Sequence, residues 1–145
     1  MNVLNFITYS NNIVPSQFMK LNDMNYAIPQ LDWIKKKKEF TPFYASFLFK
    51  NNLRIYRDPL NNCNKFTVHA RSNAHILYDK TPRKIDTASL AVGEYSYWEG
   101  FTLHVINIFI ARNEFGEMIM VYYEPQIQDI IPFNPKDDKC VELIL

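Results

Sequence analysis

Glycine is scarce in this chain, with three residues in 145, and cysteine is scarcer, with Cys63 and Cys140 alone. Gly93, Gly100 and Gly116 stand too far apart to form a glycine-rich phosphate loop. Two distant cysteines make neither a disulfide framework nor the paired spacing of a zinc site. They read as reduced thiols packed as small hydrophobes. There is no apolar run of about 20 residues, the length a membrane span needs. The longest stretch, 101–111, is interrupted by His104 and Asn107. The short apolar run at 3–7 has no basic residues before it and no small-residue cleavage site after it, so no secretory leader is expected and the cytoplasm is the expected location. Charge of one sign is also missing. The net charge of +1 and pI near 7.7 exclude a strongly basic nucleic-acid binder and a full acidic mimic.

What is present is apolar and aromatic: 48% hydrophobic residues and 15% Phe, Trp and Tyr. That composition excludes intrinsic disorder. A chain of this length buries about 68–70% of its unfolded surface without staples. One compact domain over 1–145 is expected, with a subdivision into 1–84 and 85–145. Asn, Ile, Lys, Phe and Tyr make up 61 residues, while Ala numbers 7. That bias is the mark of A+T-rich coding, as in a low-GC bacterium, its phage or a large DNA virus. Charge is uneven along the chain. Residues 1–72 hold ten basic and four acidic side chains, and residues 73–145 hold six and eleven.

The pattern along the chain predicts a strand at 3–9, a turn at 10–12 and a short helix over 16–24 capped by Ser16. A second short helix is expected from Asp32 to Lys38. After Pro42 the reading is β: strands at 43–49 and 53–57 across Lys50-Asn51-Asn52, then 65–70 and 74–79 across Arg71-Ser72-Asn73. Three clearer strands follow at 94–98, 101–111 and 117–124, with turns at Glu99-Gly100 and Asn113–Gly116, and a last strand at 141–145. Helical material first and antiparallel strands after is the α+β signature. Short strands with tight turns favour a small barrel or a strongly bent sheet at the C-terminal end.

The spacing of Gly93, Tyr95, Gly100 and Val105, followed by Gly116, Glu117, Val121 and Tyr122, resembles a bacterial and phage family of small domains of unknown function. Met120 stands where that pattern has Val, and Ile131-Pro132 replaces an Arg-Pro. The resemblance covers residues 93–133. It implies a small SH3-like β-barrel and carries no catalytic residue.

No cofactor motif and no metal-ligand set is legible, so neither is expected. Three constellations remain. The expected hairpin across residues 71–73 places His69 opposite His75 as cross-strand neighbours. With Lys65 and Arg71 on phosphate, the pair suits a metal-independent ribonuclease. Lys35, Lys36, Lys37 and Lys38 beside Trp33 offer charge next to a stacking surface for nucleic acid. Glu94, Tyr95, Tyr97, Trp98, Glu99, Phe101, Tyr122 and Tyr123 form an aromatic, acidic sheet surface suited to a protein partner. His104 alternates with Ile106, Ile108 and Ile110 and reads as a core or rim histidine. The function expected from these readings is a small non-enzymatic binding protein, phage- or virus-encoded, that sequesters a host macromolecule or small ligand. The ribonuclease is the alternative, and a virion or assembly protein a further one.

Overall fold

The computed structural model describes residues 19–20, 26–58, 62–80, 88–132 and 139–145. The element order is β1 (Met19–Lys20), β2 (Tyr26–Ala27), α1 (Leu31–Ile34), α2 (Phe40–Lys50), α3 (Cys63–Lys80), β3 (Ser89–Leu90), β4 (Val92–Glu99), β5 (Thr102–Arg112), β6 (Met118–Glu124), β7 (Asp129–Ile130) and β8 (Lys139–Ile144). Helices precede an antiparallel sheet, so the class is α+β. Six strands run in the order β1-β8-β4-β5-β6-β7, antiparallel except for β1 against β8. Among the described residues the sheet is open, with β1 and β7 as its edges, so no barrel closes there.

The two long helices replace the two expected hairpins. In α2 the buried side chains Phe40, Tyr44 and Leu48 recur at helical spacing, and Thr41 is buried beside them. Pro42 lies in the first turn, where its missing N–H breaks no helical bond. The Phe and Tyr run looked β-prone, but burial at every fourth residue decided the matter. In α3, Phe66, Ala70 and Ala74 form one buried stripe, and Arg71-Ser72-Asn73 continues the helix. Asn73 directs its amide to the His69 carbonyl at 2.8 Å, one turn back, so this Asn is satisfied inside a helix rather than in a turn. Residues 53–57 form no named strand, though Arg57 makes a β-bridge. The expected helix from Asp32 shrinks to α1, and Met19–Lys20, expected inside a helix, pairs as a strand. The expected elements at 3–9 and 10–12 lie outside the described residues.

The four C-terminal strands were placed well. The turns need Gly100 and Gly116 at φ +61° and +78°, a left-handed geometry that glycine adopts freely. Residues 105–111 of β5 are buried without a break, because both faces of this central strand are covered. On one face Val92, Phe109, Ala111, Val121 and Tyr123 pack with α1, α2 and α3. On the other, Tyr95, Tyr97, Ile106, Ile108, Ile110, Tyr122 and Leu143 form a second core, flanked by Tyr26, Ile28 and Met120.

Candidate functional site

His104 opens the buried stretch of β5, and Glu124 ends β6. Asn107 pairs with Tyr123 across the two strands, which sets Glu124 diagonal to His104. Their side chains meet, with His104 Nε2 2.8 Å from Glu124 Oε2 and both largely buried. The hydrogen bond to the Glu124 carboxylate raises the His104 pKa above its ordinary value. Burial opposes the shift, and the charges of Glu124 and Glu99 add to it. The carboxylate is itself held, since Oε1 accepts the Gln126 backbone N–H at 3.1 Å. The Tyr97 ring stands edge-on to the imidazole, 5.5 Å between centroids. A carboxylate bound to Nε2 fixes the ring and leaves Nδ1 as the nitrogen for proton exchange.

Cys63 is the first residue of α3, an 18-residue helix, and its thiol is free and half-buried. The Asn62 carbonyl accepts from Phe66 N at 3.0 Å, and its side-chain oxygen meets Lys65 N at 3.4 Å. This start puts Cys63 at the positive end of the helix dipole.

Two buried side chains pin that start of α3 to the part of the sheet that carries His104 and Glu124. The Tyr44 hydroxyl lies 3.3 Å from the Phe66 carbonyl and 3.2 Å from the Pro125 carbonyl, and Pro125 directly follows Glu124. The Asn107 amide donates to the Thr67 carbonyl at 3.0 Å and to the Gly93 carbonyl at 3.1 Å, tying α3 to both β4 and β5. Tyr123 meets the Thr41 hydroxyl at 3.0 Å. Burial pushes both phenols, Tyr44 and Tyr123, well above the usual tyrosine range, so they stay neutral. Among the described residues no hydrogen bond joins the Cys63 thiol to the His104 ring. A half-buried thiol and a carboxylate-held imidazole are the residue types of a nucleophile–base–orienter set, but here they belong to opposite faces of the sheet: α3 packs with Phe109, while His104 alternates with Ile106 and meets Tyr97 of the second core.

The sequence-derived candidates are placed otherwise. His69 and His75 sit six residues apart on α3, about a third of a turn out of line, so they are not cross-strand neighbours. His69 faces the Phe47 ring at 5.6 Å, and burial, helped by the Lys65 charge, lowers its pKa. On the helix Lys65 neighbours His69 and Arg71 neighbours His75, on two separate faces. Trp33 is no open stacking surface. It stacks on Phe40 at 5.6 Å and meets Tyr78 edge-on at 5.9 Å. Lys35, Lys36, Lys37 and Lys38 are exposed and lie beyond α1; Lys35 pairs with Asp32 at 2.7 Å and Lys36 with Asp129 at 3.6 Å. Of the expected aromatic surface, Tyr95, Tyr97, Tyr122 and Tyr123 are buried in the two cores. They fill both faces of the sheet because helices cover one side, and Tyr26, Ile28 and Ile131 pack on the other. Trp98, Glu99 and Phe101 remain exposed, and Glu94 is half-buried. Among the described residues no cluster of three or more His, Cys, Asp or Glu could hold a metal. No described helix is long and apolar enough to cross a membrane.

The sequence reading missed the pairing of His104 with Glu124 and the position of Cys63. The first was open to a register count from Gly116. The second was hidden by reading 65–79 as a hairpin.

No family description matches the chain, and no curated protein is similar to it. Solved structures do match. One is the PSL1a–E64 complex, with a TM-score of 0.73 and 16% identity over 100% of this chain and 51% of that one. Another is Polyporus squamosus lectin bound to the human-type influenza-binding epitope Neu5Acα2-6Galβ1-4GlcNAc, with a TM-score of 0.66 and 15% identity over 88% and 42%. The likeness is one of fold. The chain spans about half the length of the chains it matches.

Proposed function

We propose that this chain is a thiol-dependent acyl hydrolase acting on peptide bonds, with Cys63 as nucleophile, His104 as general base and acid, and Glu124 as the group that orients the imidazole. The observation that carries the reading is the 2.8 Å Glu124–His104 contact at the end of the sheet to which the Cys63 turn is pinned. His104 Nδ1 takes the thiol proton, and the sulfur forms a bond to the scissile carbonyl carbon. The Cys63 backbone N–H, at the start of α3, is suited to the oxyanion. Collapse of the tetrahedral species breaks the carbon–nitrogen bond, and the leaving amine takes its proton from His104. Water, deprotonated by His104, then cleaves the thioester to a carboxylate and the free thiol. Glu124 stabilises the imidazolium in both halves without itself being protonated.

The fold neighbour PSL1a binds E64, an epoxide that alkylates thiols, and the reagent is a direct probe of Cys63. Mass spectrometry of the treated chain should find the adduct on Cys63 and not on Cys140, and Cys63→Ala should abolish peptide hydrolysis. An unmodified Cys63, or a Cys63→Ala chain that still hydrolyses peptides, would overturn the reading. Of the surface expected for a sequestering role, Trp98, Glu99 and Phe101 remain exposed, while Tyr95, Tyr97, Tyr122 and Tyr123 are buried.

A further inference from the structure

β5 outruns the strand beside it. It starts at Thr102, whereas its pairing with β6 begins only at Asn107, opposite Tyr123. β6 ends at Glu124, and Pro125 follows with its carbonyl held by the Tyr44 hydroxyl. A proline brings no N–H to a ladder. The other side of β5 is filled, since β4 pairs with it as far as Glu99 against Thr102.

The two registers decide which backbone groups the shorter neighbour leaves over. Ile110 donates its N–H to Ala91, on the β4 side, and Asn113, just past β5, donates to Glu117, on the β6 side. By alternation, even-numbered residues of β5 turn their N–H and C=O toward β4 and odd-numbered ones toward β6. Leu103 and Val105 therefore direct theirs to the side where β6 has stopped. Among the described residues neither has a backbone partner there. Val105 is 5% exposed, and unpaired backbone groups so far out of water are rare in folded proteins. Leu103, at 44%, is open to an incoming chain.

The side chains along this edge differ between the two faces. Trp98 and Leu103 are directly opposed across β4 and β5, and both are half-exposed. Glu99, Thr102 and His104 lie on the other face, where Glu124 reaches the imidazole. One face is apolar and the other acidic.

We infer that the edge of β5 at Leu103 and Val105 takes an extended peptide segment of another protein as an added strand, one whose side chains alternate apolar and basic. The inference does not rest on the hydrolase reading. An extended chain supplies N–H and C=O groups at the spacing this edge presents. A residue hydrogen-bonded to Leu103 in an antiparallel ladder sets its side chain on the Leu103 face. The bonded residues are then the apolar ones, and the basic ones fall on the face of Glu99 and Glu124.

The test is fluorescence anisotropy with the full chain and labelled eight-residue peptides alternating Leu with Lys, repeated in Cys63→Ala so that cleavage cannot remove the probe. N-methylation of the Leu amides should weaken binding at least about 10-fold, the loss of two ordinary hydrogen bonds. N-methylation of the Lys amides, which face away from β5, should not. Leu103→Pro removes one outward N–H, at a place where an edge strand tolerates proline, and should weaken binding about 10-fold or more, because its ring also obstructs the edge. Glu99→Lys, at an exposed site, should weaken binding roughly 3-fold or more. Circular dichroism melting checks both variants, and the two methylated peptides decide the matter on the parent alone if Leu103→Pro fails to fold. No binding at about 1 mM peptide, binding indifferent to which amides are methylated, or parent-like affinity in both folded variants would overturn the inference. So would a dimer in sedimentation that Leu103→Pro dissolves, since a second copy would then occupy the edge.

Discussion

Gly93→Ala is a substitution that ordinary propensity would call harmless. In a strand interior Ala exceeds Gly by about 0.5–1 kcal/mol. Here the structure reverses the sign. Gly93 lies in β4 between β5 and β8, with Ile108 as its partner on the β5 side. A Cβ at this position would run into the Ile144 carbonyl oxygen, with the Ile144 carbonyl carbon at 2.8 Å and Leu145 Cα at 2.9 Å. These are backbone atoms, so no rotamer change relieves the clash and β8 must move away. Leu143 and Leu145 are each 1% exposed, and burial of such a side chain contributes about 1.5–3 kcal/mol. The Tyr26 hydroxyl donates to the Leu145 carbonyl at 3.1 Å, about 1 kcal/mol more. Full detachment of β8 would then cost about 4–7 kcal/mol, against a total stability of about 5–15 kcal/mol for a typical domain. Partial separation should still lose more than about 2 kcal/mol in urea denaturation followed by circular dichroism. A variant within about 0.5 kcal/mol of the parent, or more stable, would refute the close packing of β8 on β4.

Two further outcomes are expected. Tyr123→Phe removes the buried 3.0 Å contact with Thr41 and should lower stability by about 0.5–1.5 kcal/mol, because the Thr41 hydroxyl keeps its 2.8 Å bond to the Ile34 carbonyl; a loss above about 3 kcal/mol would mean that Tyr123 does more than this bond. The Glu124 contact raises the His104 pKa above 6.5 in the folded chain, so its contribution to stability is fully present below pH 6.5 and is lost as pH rises through the raised value. Denaturation midpoints of the parent should decline across that window and those of Glu124→Gln should not, while NMR titration should find the His104 pKa lower in the variant; identical His104 titrations would contradict the pairing.

The C-terminal sheet was legible because its signals are local. Gly100 and Gly116 mark tight turns, and the run from Phe101 to Ala111 is too long and apolar for anything but a strand covered on both sides. The helices were not, for a physical reason. Residues 43–49 are dominated by Phe, Tyr and Leu, which suit a strand or a buried helix equally, and only the position of Phe40 and Thr41 against the sheet resolves them. Residues 65–79 carry polar groups at 71–73 that mimic a turn, yet Asn73 finds its acceptor one turn back in the same helix. The error spread to the site. Taking α3 for a hairpin created the His69–His75 pair and hid the place of Cys63 at a helix start. The reading of His104 as a rim histidine saw its apolar neighbours Ile106 and Ile108 but not Glu124, which reaches it only through the β5–β6 register. Tyr95 and Tyr97 do share a side opposite Trp98, but that side is a core.

The claim that Cys63, His104 and Glu124 act as one unit is tested most directly by the second-order rate of Cys63 alkylation by E64 in the parent, His104→Ala and Glu124→Gln, each followed by peptide mapping from pH 5 to 9. The account predicts a rate at Cys63 that falls by about 10²–10⁴ in His104→Ala, the range a positioned base contributes, with a smaller loss and a pH profile displaced toward lower pH in Glu124→Gln. Equal rates and superimposable profiles in all three chains would show a thiol that reacts on its own and would contradict the account.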